Sequence, residues 1–302
     1  MATTTNIDAE NLSFWKTPAP SLMSVRDGLQ ELGNSMKIGI VGVAGRMGRM
    51  LAAEILKTDG ADLCGGTEAP GSEFVGADLG VLAGTSEMGF VVSDGADALI
   101  KSADAIIDFT APAVTLAHAR IAAGYGTALV IGTTGFSADQ IAELRKFGAE
   151  NVIVHAANFS VGVNLLLGLT EQAASVLGDD YDIEIVEMHH RHKVDAPSGT
   201  ALALGEAAAS GRKVNLDDVA TRVRDGITGP RPSGNIGFAT LRGGSVVGDH
   251  TVMFAADGER FELTHKAVDR SVFAVGAVRA ALWAGSQAPG YYSMRDVLGF
   301  ND

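Results

Sequence analysis

The stretch KIGIVGVAGRMG, residues 37–48, joins an apolar run to a glycine-rich turn. The β-branched run Lys37–Val43 predicts a strand, and Met47–Lys57 has the pattern of a helix. Three glycines mark the turn: Gly42, Gly45 and Gly48. This order is typical of a unit that binds a dinucleotide, because backbone N–H groups at the helix start can approach a pyrophosphate. The spacing GxxGxxG departs from the commoner GxGxxG, so the prediction depends on the strand and helix around it.

Strand and helix patterns alternate after this turn. The further predicted strands are Ala61–Thr67, Asp104–Phe109, Ala128–Gly132 and Asn151–Ala156. Helix-like segments follow the later strands, and this alternation predicts a parallel sheet. The segment Ala69–Gly84 is rich in turn residues and is interpreted as surface loops. The first half is therefore predicted to be an α/β domain of Rossmann type.

The pattern changes after Asn158. The predicted elements are helix Val163–Leu177, strand Tyr181–Met188, helix Ala201–Ser210, and strands Ile236–Arg242, Ser245–Ala255 and Arg260–Lys266. Gly211 is predicted to stop the alanine-rich helix. Gly243-Gly244 and Asp257-Gly258 are hairpin signals, so we expect a mixed or largely antiparallel sheet with one face available for subunit contact. The last long helix, Ser271–Ala284, is predicted to pack back on the first domain.

The length of 302 residues exceeds the roughly 100 to 200 of one domain and predicts two compact units. We expect a dinucleotide-binding domain at 36–158 that residues 268–302 complete, and a second α+β domain at 159–267. Residues 1–35 carry polar and proline punctuation and are predicted to be a flexible appendage. Within them, Leu22–Leu32 could form a short amphipathic helix.

Charge and cysteine content narrow the function classes. The chain has 23 Lys and Arg against 36 Asp and Glu, a net charge of −13, so we expect no nucleic-acid partner. The nearest approach to a membrane helix, Ala128–Gly135, is far shorter than the roughly 20 apolar residues needed, so no membrane span is predicted. The single cysteine, Cys64, cannot close an intrachain disulfide, which favours a cytoplasmic location.

Strand ends outline a cofactor site. The glycine turn supplies six candidate residues: Gly42, Val43, Ala44, Gly45, Arg46 and Met47. Glu68 follows the next strand, where a carboxylate accepts hydrogen bonds from ribose hydroxyls. Two later strand ends suit the nicotinamide half, with candidates Gly132, Thr133, Thr134, Ala156, Ala157, Asn158 and Phe159. Ordinary turn and loop chemistry remains the alternative for these segments.

The residues around Glu68 bear on the choice of cofactor. A ribose 2′-phosphate would meet carboxylate repulsion, and the next residue is Ala69 rather than a cation. Arg46 in the glycine turn could still reach such a phosphate. We therefore predict NADH or NADPH as the cofactor, with NADH at least equal to NADPH.

The densest cluster of ionisable residues is EMHHRHKVDAPSGT, residues 187–200. Strand alternation sends His189 and His190 to different sides. Histidine exchanges protons near neutral pH, and Lys193 supplies a fixed charge and a transferable proton. A metal site is one alternative, but His189, His190 and His192 lack the spacing of a zinc helix and Lys193 would repel the ion. No metal is therefore predicted.

A predicted helix start follows this cluster. Ser198 is a suitable cap, and the free N–H groups of Gly199 and Thr200 could hold a carboxylate. A solvated polar loop is the second alternative, which the adjoining anion-binding helix start weakens. Four residues on later strands receive no role: Arg242, His250, His265 and Lys266.

Several strings are shared with one family. They are GTTGF from Gly132, AANFSVGVN from Ala156 and EMHHRHKVDAPSGTA from Glu187, with IGFATLRGG, GDHTVMFA, GERFELTHKA and MRDVL later in the chain. The chain resembles the dihydrodipicolinate reductases of the lysine and diaminopimelate route over nearly all of residues 36–301. The HHRHK…SGT string is specific to that family, whereas many dehydrogenases share the glycine turn.

The resemblance implies NAD(P)H-dependent reduction of 4-hydroxy-tetrahydrodipicolinate to tetrahydrodipicolinate with loss of water. It implies that His189 acts as the acid/base residue and Lys193 as the proton donor. The residues expected to bind the dicarboxylate are His190, Lys193, Gly199 and Thr200. The resemblance assigns the strand-end residues to the cofactor, and residues 159–267 to substrate binding and tetramerisation, in a homotetramer with hinge closure between domains. Many members have a basic residue where this chain has Ala69, which places NADPH preference in doubt.

Two other function classes remain open. A different nicotinamide oxidoreductase, such as an aspartate or homoserine dehydrogenase analogue, would lack the HHRHK…SGT cluster. A Rossmann protein that only senses NAD(H) would bind NADH without oxidising it and would leave that cluster unexplained. Substrate-dependent oxidation of NADH separates the alternatives.

Overall fold

The computed structural model describes residues 35–300, which form two sheets with surrounding helices. The strands are β1 Met36–Val41, β2 Ala61–Thr67, β3 Ala105–Asp108, β4 Ala128–Ile131, β5 Val152–His155, β6 Asp182–His189, β7 Ala220–Thr221, β8 Ile236–Arg242, β9 Gly248–Ala255, β10 Arg260–Ala267 and β11 Gly290–Tyr292. The helices are α1 Arg46–Ile55, α2 Leu79–Leu82, α3 Ala96–Ser102, α4 Pro112–Tyr125, α5 Ala138–Phe147, α6 Val161–Leu177, α7 Gly199–Arg212, α8 Leu216–Val219, α9 Ser271–Ala284 and α10 Met294–Leu298. The appendage predicted for residues 1–35, with its helix at Leu22–Leu32, lies outside the described range apart from Ser35.

The first sheet is parallel throughout, with strand order β11-β5-β4-β3-β1-β2. All four residues of both β3 and β4 are buried, as expected where helices cover both faces. Helices α1 and α9 pack on one face, and α3, α4 and α5 pack on the other. The predicted Rossmann-type parallel sheet is confirmed, and α9 returns to it as the sequence pattern indicates.

One part of the first half differs from its prediction. Leu79, inside the segment interpreted as surface loops, is fully buried in the apolar core on the α1 and α9 face of the parallel sheet, here named the first core. It begins α2, which Asp78 caps by accepting hydrogen bonds from the N–H groups of Gly80 and Val81. The interpretation of Ala69–Gly84 as loops alone is wrong, because a four-residue helix is too short to give a periodic pattern.

The second sheet is mixed, with strand order β10-β9-β6-β8-β7. Strands β10, β9 and β6 are antiparallel neighbours, whereas β6, β8 and β7 run parallel. Helices α6 and α7 pack against each other and on one face, where Leu166, Leu204, Ile185 and Phe254 belong to a separate core. The predicted mixed sheet is confirmed.

Gly211 does not stop the helix in which it lies. Helix α7 continues through Arg212, and its cap is Lys213, which has a left-handed φ of 57°. A Cβ atom at Gly211 would stand 2.2 Å from the carbonyl oxygen of Glu171 on α6. The glycine therefore permits close packing of two helices, a tertiary requirement that resembles a stop signal in sequence.

The hairpin predicted at Gly243-Gly244 is also wrong. Strand β6 lies between β8 and β9, so the glycine pair begins a loop that crosses the end of β6. The Gly243 N–H donates to the carbonyl of His189, and the His190 N–H donates to the carbonyl of Val246. The hairpin predicted at Asp257-Gly258 is confirmed, since β9 and β10 are antiparallel neighbours.

One helix in the described range has the length and composition of a membrane span. It covers Val161–Asp180, with a mean hydropathy of 1.2. In the fold this helix packs against α7, β10 and α10. The absence of a membrane span stays a prediction from sequence.

Candidate active site

The glycine turn has a separate steric reason at each glycine. Gly42 has a φ of 72°, which side-chain-bearing residues rarely adopt. Gly45 is the exposed cap residue of α1, and a Cβ atom there would stand 3.2 Å from the Gly42 carbonyl oxygen. A Cβ atom at Gly48 would stand 2.4 Å from the Gly42 carbonyl oxygen. The turn is therefore a backbone cradle at a helix start, an arrangement typical of turns that bind a pyrophosphate.

Glu68 reaches into this cradle. Its Oε1 accepts a 2.8 Å hydrogen bond from the Ala44 N–H. The Arg49 guanidinium donates to the Ala44 carbonyl at 2.8 Å and stacks over the Phe74 ring. Arg46 is exposed beside the turn, while Met47 is half-buried against the first core. The structure thus brings the predicted ribose carboxylate and the predicted phosphate loop together.

The Gly132–Thr134 segment forms the second strand-end turn. Gly132 is required because a Cβ atom there would stand 2.0 Å from the Phe109 ring. The Thr133 side chain is buried, and its hydroxyl lies 2.9 Å from that of Thr115. Thr134 is exposed. Of the two threonines in this turn, only Thr134 is therefore exposed, and Thr133 serves the buried side.

A buried polar network lies beneath this turn and contacts it through the Thr133 hydroxyl. Asp108 is fully buried at the end of β3 and accepts from the Thr110 N–H at 2.9 Å. Its other oxygen lies 2.8 Å from Nδ1 of His118 on α4. Thr110 also contacts the glycine turn, since its methyl group would lie 3.0 Å from a Cβ atom at Gly42. The network links both cofactor turns to the sheet.

The Ala156–Phe159 segment leads from the end of β5 to the start of α6. Ala157 is exposed, and Phe159 is fully buried and packs against Phe109 with ring centroids 5.6 Å apart. The Asn158 amide donates a 3.3 Å hydrogen bond to the Thr200 hydroxyl. A predicted cofactor residue and a predicted substrate residue are therefore in direct contact.

His189 lies at the end of β6 with its ring buried. Its Nδ1 is 2.6 Å from Oε2 of Glu187, two residues earlier on the same face of the strand. Burial raises the pKa of Glu187, but hydrogen bonds from Arg242, His189 and the Ser198 N–H outweigh it and hold the pKa below its usual value. The ring thus rests against an ionised carboxylate, as general acid/base histidines commonly do.

His190 and Lys193 lie on the other side of this strand end. Burial and neighbouring positive groups lower the pKa of His190. The Lys193 ammonium donates a 2.8 Å hydrogen bond to the Asp195 carboxylate. Within residues 35–300, no group of three or more His, Cys, Asp and Glu side chains is arranged to hold a metal ion.

The start of α7 matches the sequence prediction of a capped helix. The Ser198 hydroxyl accepts from the Ala201 N–H at 3.1 Å. Gly199 is exposed and Thr200 is half-buried at the first turn. Oγ of Ser198 also lies 3.1 Å from Nε2 of His250. Burial lowers the pKa of His250 to about 4, so this neighbour carries no charge at neutral pH.

A cleft of about 880 Å³ is lined by both halves of the candidate site. Arg46 and Met50 of α1 contribute to it, as do the residues from His190 to His192 and Arg270 before α9. Three arginines, Arg46, Arg191 and Arg270, line this opening with one carboxylate, Asp269, in a chain whose net charge is −13. Such an opening suits an anionic ligand.

Three residues near His189 escaped the sequence prediction. Glu187, Arg242 and His250 receive no role from sequence, yet all contact His189 or its immediate partners. Glu187 carried a signal, because an acid occupies an inward position in the strand pattern IEIVEMH. Arg242 and His250 carried none, since only strand register brings them beside Glu187 and His189.

Comparison with known proteins gives matches on both halves. The family model "Dihydrodipicolinate reductase, N-terminus" matches residues 36–159, and "Dihydrodipicolinate reductase, C-terminus" matches residues 162–298. The chain belongs to the dihydrodipicolinate reductase family. The 4-hydroxy-tetrahydrodipicolinate reductase of Roseobacter denitrificans is 54% identical over 267 residues, covering 88% of this chain and 98% of that one. The protein of the same name from Parvibaculum lavamentivorans is 56% identical over 265 residues, covering 87% and 98%.

Solved structures show the same fold at lower identity. Dipicolinate-bound dihydrodipicolinate reductase from Paenisporosarcina sp. TG-14 gives a TM-score of 0.68 at 22% identity, covering 86% of this chain and 97% of that one. An amine dehydrogenase from Mycobacterium smegmatis gives 0.56 at 14% identity, covering 87% and 96%. Reductase family membership and the glycine cradle together imply a nicotinamide cofactor.

Proposed function

We propose that this protein reduces 4-hydroxy-tetrahydrodipicolinate to tetrahydrodipicolinate, with loss of water, in lysine and diaminopimelate biosynthesis. The observation that carries the proposal is the meeting of two sites: Asn158, at the cofactor edge, donates a hydrogen bond to Thr200, at the start of α7. A ligand at each site would therefore lie close to the other. The curated relatives that match nearly the whole described chain carry the name of this activity.

The predicted residues form two groups, one that would bind the cofactor and one that would bind the substrate. The cofactor would be held by the turn from Gly42 to Met47, Glu68, the turn from Gly132 to Thr134 and the segment from Ala156 to Phe159. When bound, a nicotinamide supplies the hydride. The substrate carboxylates would bind the free N–H groups at Gly199 and Thr200 together with His190 and Lys193.

Proton transfer would fall to Lys193 and His189. Reduction adds one hydride and one proton to the ring that remains after water leaves, and the Lys193 ammonium would deliver that proton. The contact with Asp195 at 2.8 Å uses one of the three N–H donors of this ammonium, so the others remain for the substrate. His189 would act as the acid/base residue, held by Glu187 at the buried end of β6.

Loss of NADH absorbance tests the proposal, with the condensation product of pyruvate and aspartate semialdehyde as fresh substrate. We expect His189→Gln and Lys193→Ala each to lower kcat by about 10²- to 10⁴-fold, the range for a lost general acid or base, while NADH still binds. Lys266→Ala is the matched control, because Lys266 is exposed on β10 and lacks any proposed role. No loss of absorbance with the wild-type protein would contradict the function, and near-normal turnover of Lys193→Ala would remove that residue from the mechanism.

The proposal extends to the choice of cofactor. Glu68 faces the phosphate loop, and Ala69 beside it is exposed, so a 2′-phosphate would meet a carboxylate and no cation at position 69. The cations beside this turn are Arg46 and Arg49, and Arg49 is engaged with the Ala44 carbonyl and the Phe74 ring. We expect the dissociation constant of NADH to be equal to or lower than that of NADPH, and Ala69→Arg to tighten NADPH binding by about 10-fold, one added ion pair. Fluorescence titration of both cofactors measures this, and a large NADPH preference in the wild type would refute it.

We further propose a homotetramer in the cytoplasm. The second sheet supports the assembly, because α6 and α7 cover one of its faces and leave the other without a helix layer. The single cysteine, Cys64, is free, and burial raises the pKa of its thiol to about 11, which keeps it protonated at neutral pH. A chain without a possible intrachain disulfide accords with a reducing compartment.

A further inference from the structure

Glu187 is the most extensively hydrogen-bonded carboxylate of the candidate site. It is 1% exposed, and both of its oxygens accept two hydrogen bonds. Oε2 accepts from His189 at 2.6 Å and from Arg242 at 2.7 Å. Oε1 accepts from Arg242 at 3.0 Å and from the Ser198 N–H at 3.0 Å. One buried carboxylate therefore joins the end of β6, the end of β8 and the start of α7.

The contact with Glu187 fixes the His189 ring. A carboxylate paired with an arginine can only accept, so the proton of a neutral His189 ring lies on Nδ1. Nε2 is then the nitrogen left to exchange a proton. A Cβ atom at Gly248 would stand 3.0 Å from this nitrogen, so glycine keeps the space beside it open.

The same carboxylate fixes the start of α7. The Ser198 N–H donates to Glu187 while the Ser198 hydroxyl caps the helix at Ala201. Arg242 donates to the Asp195 carbonyl as well, so it holds the loop that leads from β6 to this helix. The position of the helix N–H groups relative to His189 therefore depends on one ion pair.

We propose that Glu187, clamped by Arg242, is a positioning residue that sets both the proton position of His189 and the place of the α7 start. The proposal rests on the function proposed above for its choice of assay. A glutamine at this position keeps the volume but replaces two acceptor oxygens by one acceptor and one donor. Four donors face this site, so at least one N–H would meet another N–H and the ring or the helix start must move.

The test compares Glu187→Gln with Glu184→Gln. Glu184 lies on the same strand, faces the opposite side and pairs with Arg224 and Arg231, so its replacement removes a similar ion pair away from the site. We expect Glu187→Gln to lower kcat by at least about 10-fold, and by no more than His189→Gln, because orientation is lost and the base remains. The substrate KM should rise while the NADH dissociation constant stays within about 2-fold, since the glycine turn is untouched.

A spectroscopic readout separates positioning from a structural role. Nitrogen NMR of ¹⁵N-histidine-labelled protein reports the tautomer of each ring, and His189→Gln assigns the signal of His189. We expect the Nδ1-protonated tautomer in the wild type and in Glu184→Gln, and a changed signal in Glu187→Gln. An unchanged tautomer and unchanged kcat in Glu187→Gln would overturn the proposal.

The outcomes also distinguish a failure of the positioning role from a failure of the proposed enzymatic function. If the wild type oxidises no NADH with the named substrate, the function fails, and the NMR comparison still tests the positioning role. If Glu187→Gln does not fold, Arg242→Lys provides the second variant, because a lysine keeps the charge but cannot form the two-pronged pair. A wild-type tautomer and wild-type kcat in a folded Arg242→Lys would then contradict the clamp.

Discussion

Gly48 shows how a single residue specifies the cofactor turn. It lies in the first turn of α1, where a Cβ atom would stand 2.4 Å from the carbonyl oxygen of Gly42 and 2.5 Å from that of Val43. Both neighbours are backbone atoms, so neither can rotate away. Glycine elsewhere in a helix costs about 1 kcal/mol relative to alanine. At Gly48 the lower helix propensity of glycine is outweighed, because only glycine lets the start of α1 approach the end of β1 so closely.

Gly48→Ala is therefore expected to destabilise the fold by about 1–3 kcal/mol, since overpacking outweighs the gain in helix propensity. The displaced turn should also weaken NADH binding by more than about 10-fold. Thermal unfolding and NADH titration measure the two effects. Gly124→Ala is the matched control: Gly124 lies inside α4 with nothing within 4 Å of its Cβ position, so equal or greater stability is expected there. Destabilisation of both variants alike would contradict the steric explanation.

Strand β6 carries one ion-paired glutamate on each of its two faces. On its helix-covered face, Glu187 serves the candidate site. On the other face, Glu184 accepts hydrogen bonds from Arg224 and Arg231, which lie in the long connection between β7 and β8. Burial raises the pKa of Glu184, but the hydrogen bonds from the two arginines outweigh it, so the pKa lies below its ordinary value of 4.5. A single strand thus anchors both a site and a long loop.

The lowered pKa of Glu184 predicts a pH dependence of stability. The stabilisation is complete above the unfolded pKa and is lost as pH falls through the lower, folded pKa. We expect Glu184→Gln to lower the free energy of unfolding by about 1–3 kcal/mol near neutral pH, the range for charged hydrogen bonds. The difference from wild type should shrink as pH falls below 4.5. Denaturant unfolding at several pH values checks this, and a gap independent of pH would contradict it.

Three apolar cores, and one sheet face without a helix layer, describe the molecule as a whole. Two of the cores lie on the two faces of the parallel sheet, whereas the third lies on one face of the mixed sheet under α6 and α7. Strand register places Val186, Leu241, Thr251 and Met253 on the other face. Leu241 is 49% exposed there. The same face carries Glu184 with Arg224 and Arg231, so apolar side chains lie beside a charged cluster there. A partly apolar face of this kind is typically covered by another subunit.

The proposed tetramer predicts that a charge on this face disrupts assembly. Thr251→Arg adds a cation in the middle of the face, where the isolated sheet has room for it but a packed subunit does not. Analytical ultracentrifugation should show four-chain particles for the wild type and smaller ones for this variant. Val114→Arg is the control, because Val114 is 44% exposed on α4. A wild-type monomer, or a Thr251→Arg tetramer, would contradict the proposal.

Local patterns predicted most elements, and they failed where tertiary contacts decide. Strand β2 and helix α9 have the predicted bounds. Helix α9 is a long apolar run that a local pattern can specify, whereas β2 is a short segment marked by its place between a helix and Glu68. Strand β11 has three residues and pairs with β5 from far along the chain, so no local pattern could indicate it. The prediction that Gly211 ends its helix failed for a related reason. A glycine in a helical pattern indicates either a helix end or a close contact with another helix, and only the position of the partner helix distinguishes the two.

The sequence by itself determined the parallel glycine-turn domain, the mixed second sheet, and the histidine and lysine cluster beside a capped helix. These follow from periodicity, backbone conformation and local spacing, which act over a few residues. Tertiary structure alone decided that β6 lies between β8 and β9, and hence that Arg242 and His250 lie beside Glu187 and His189. Strand order is a long-range property, because it depends on which hydrogen-bonding edges meet once the core is packed.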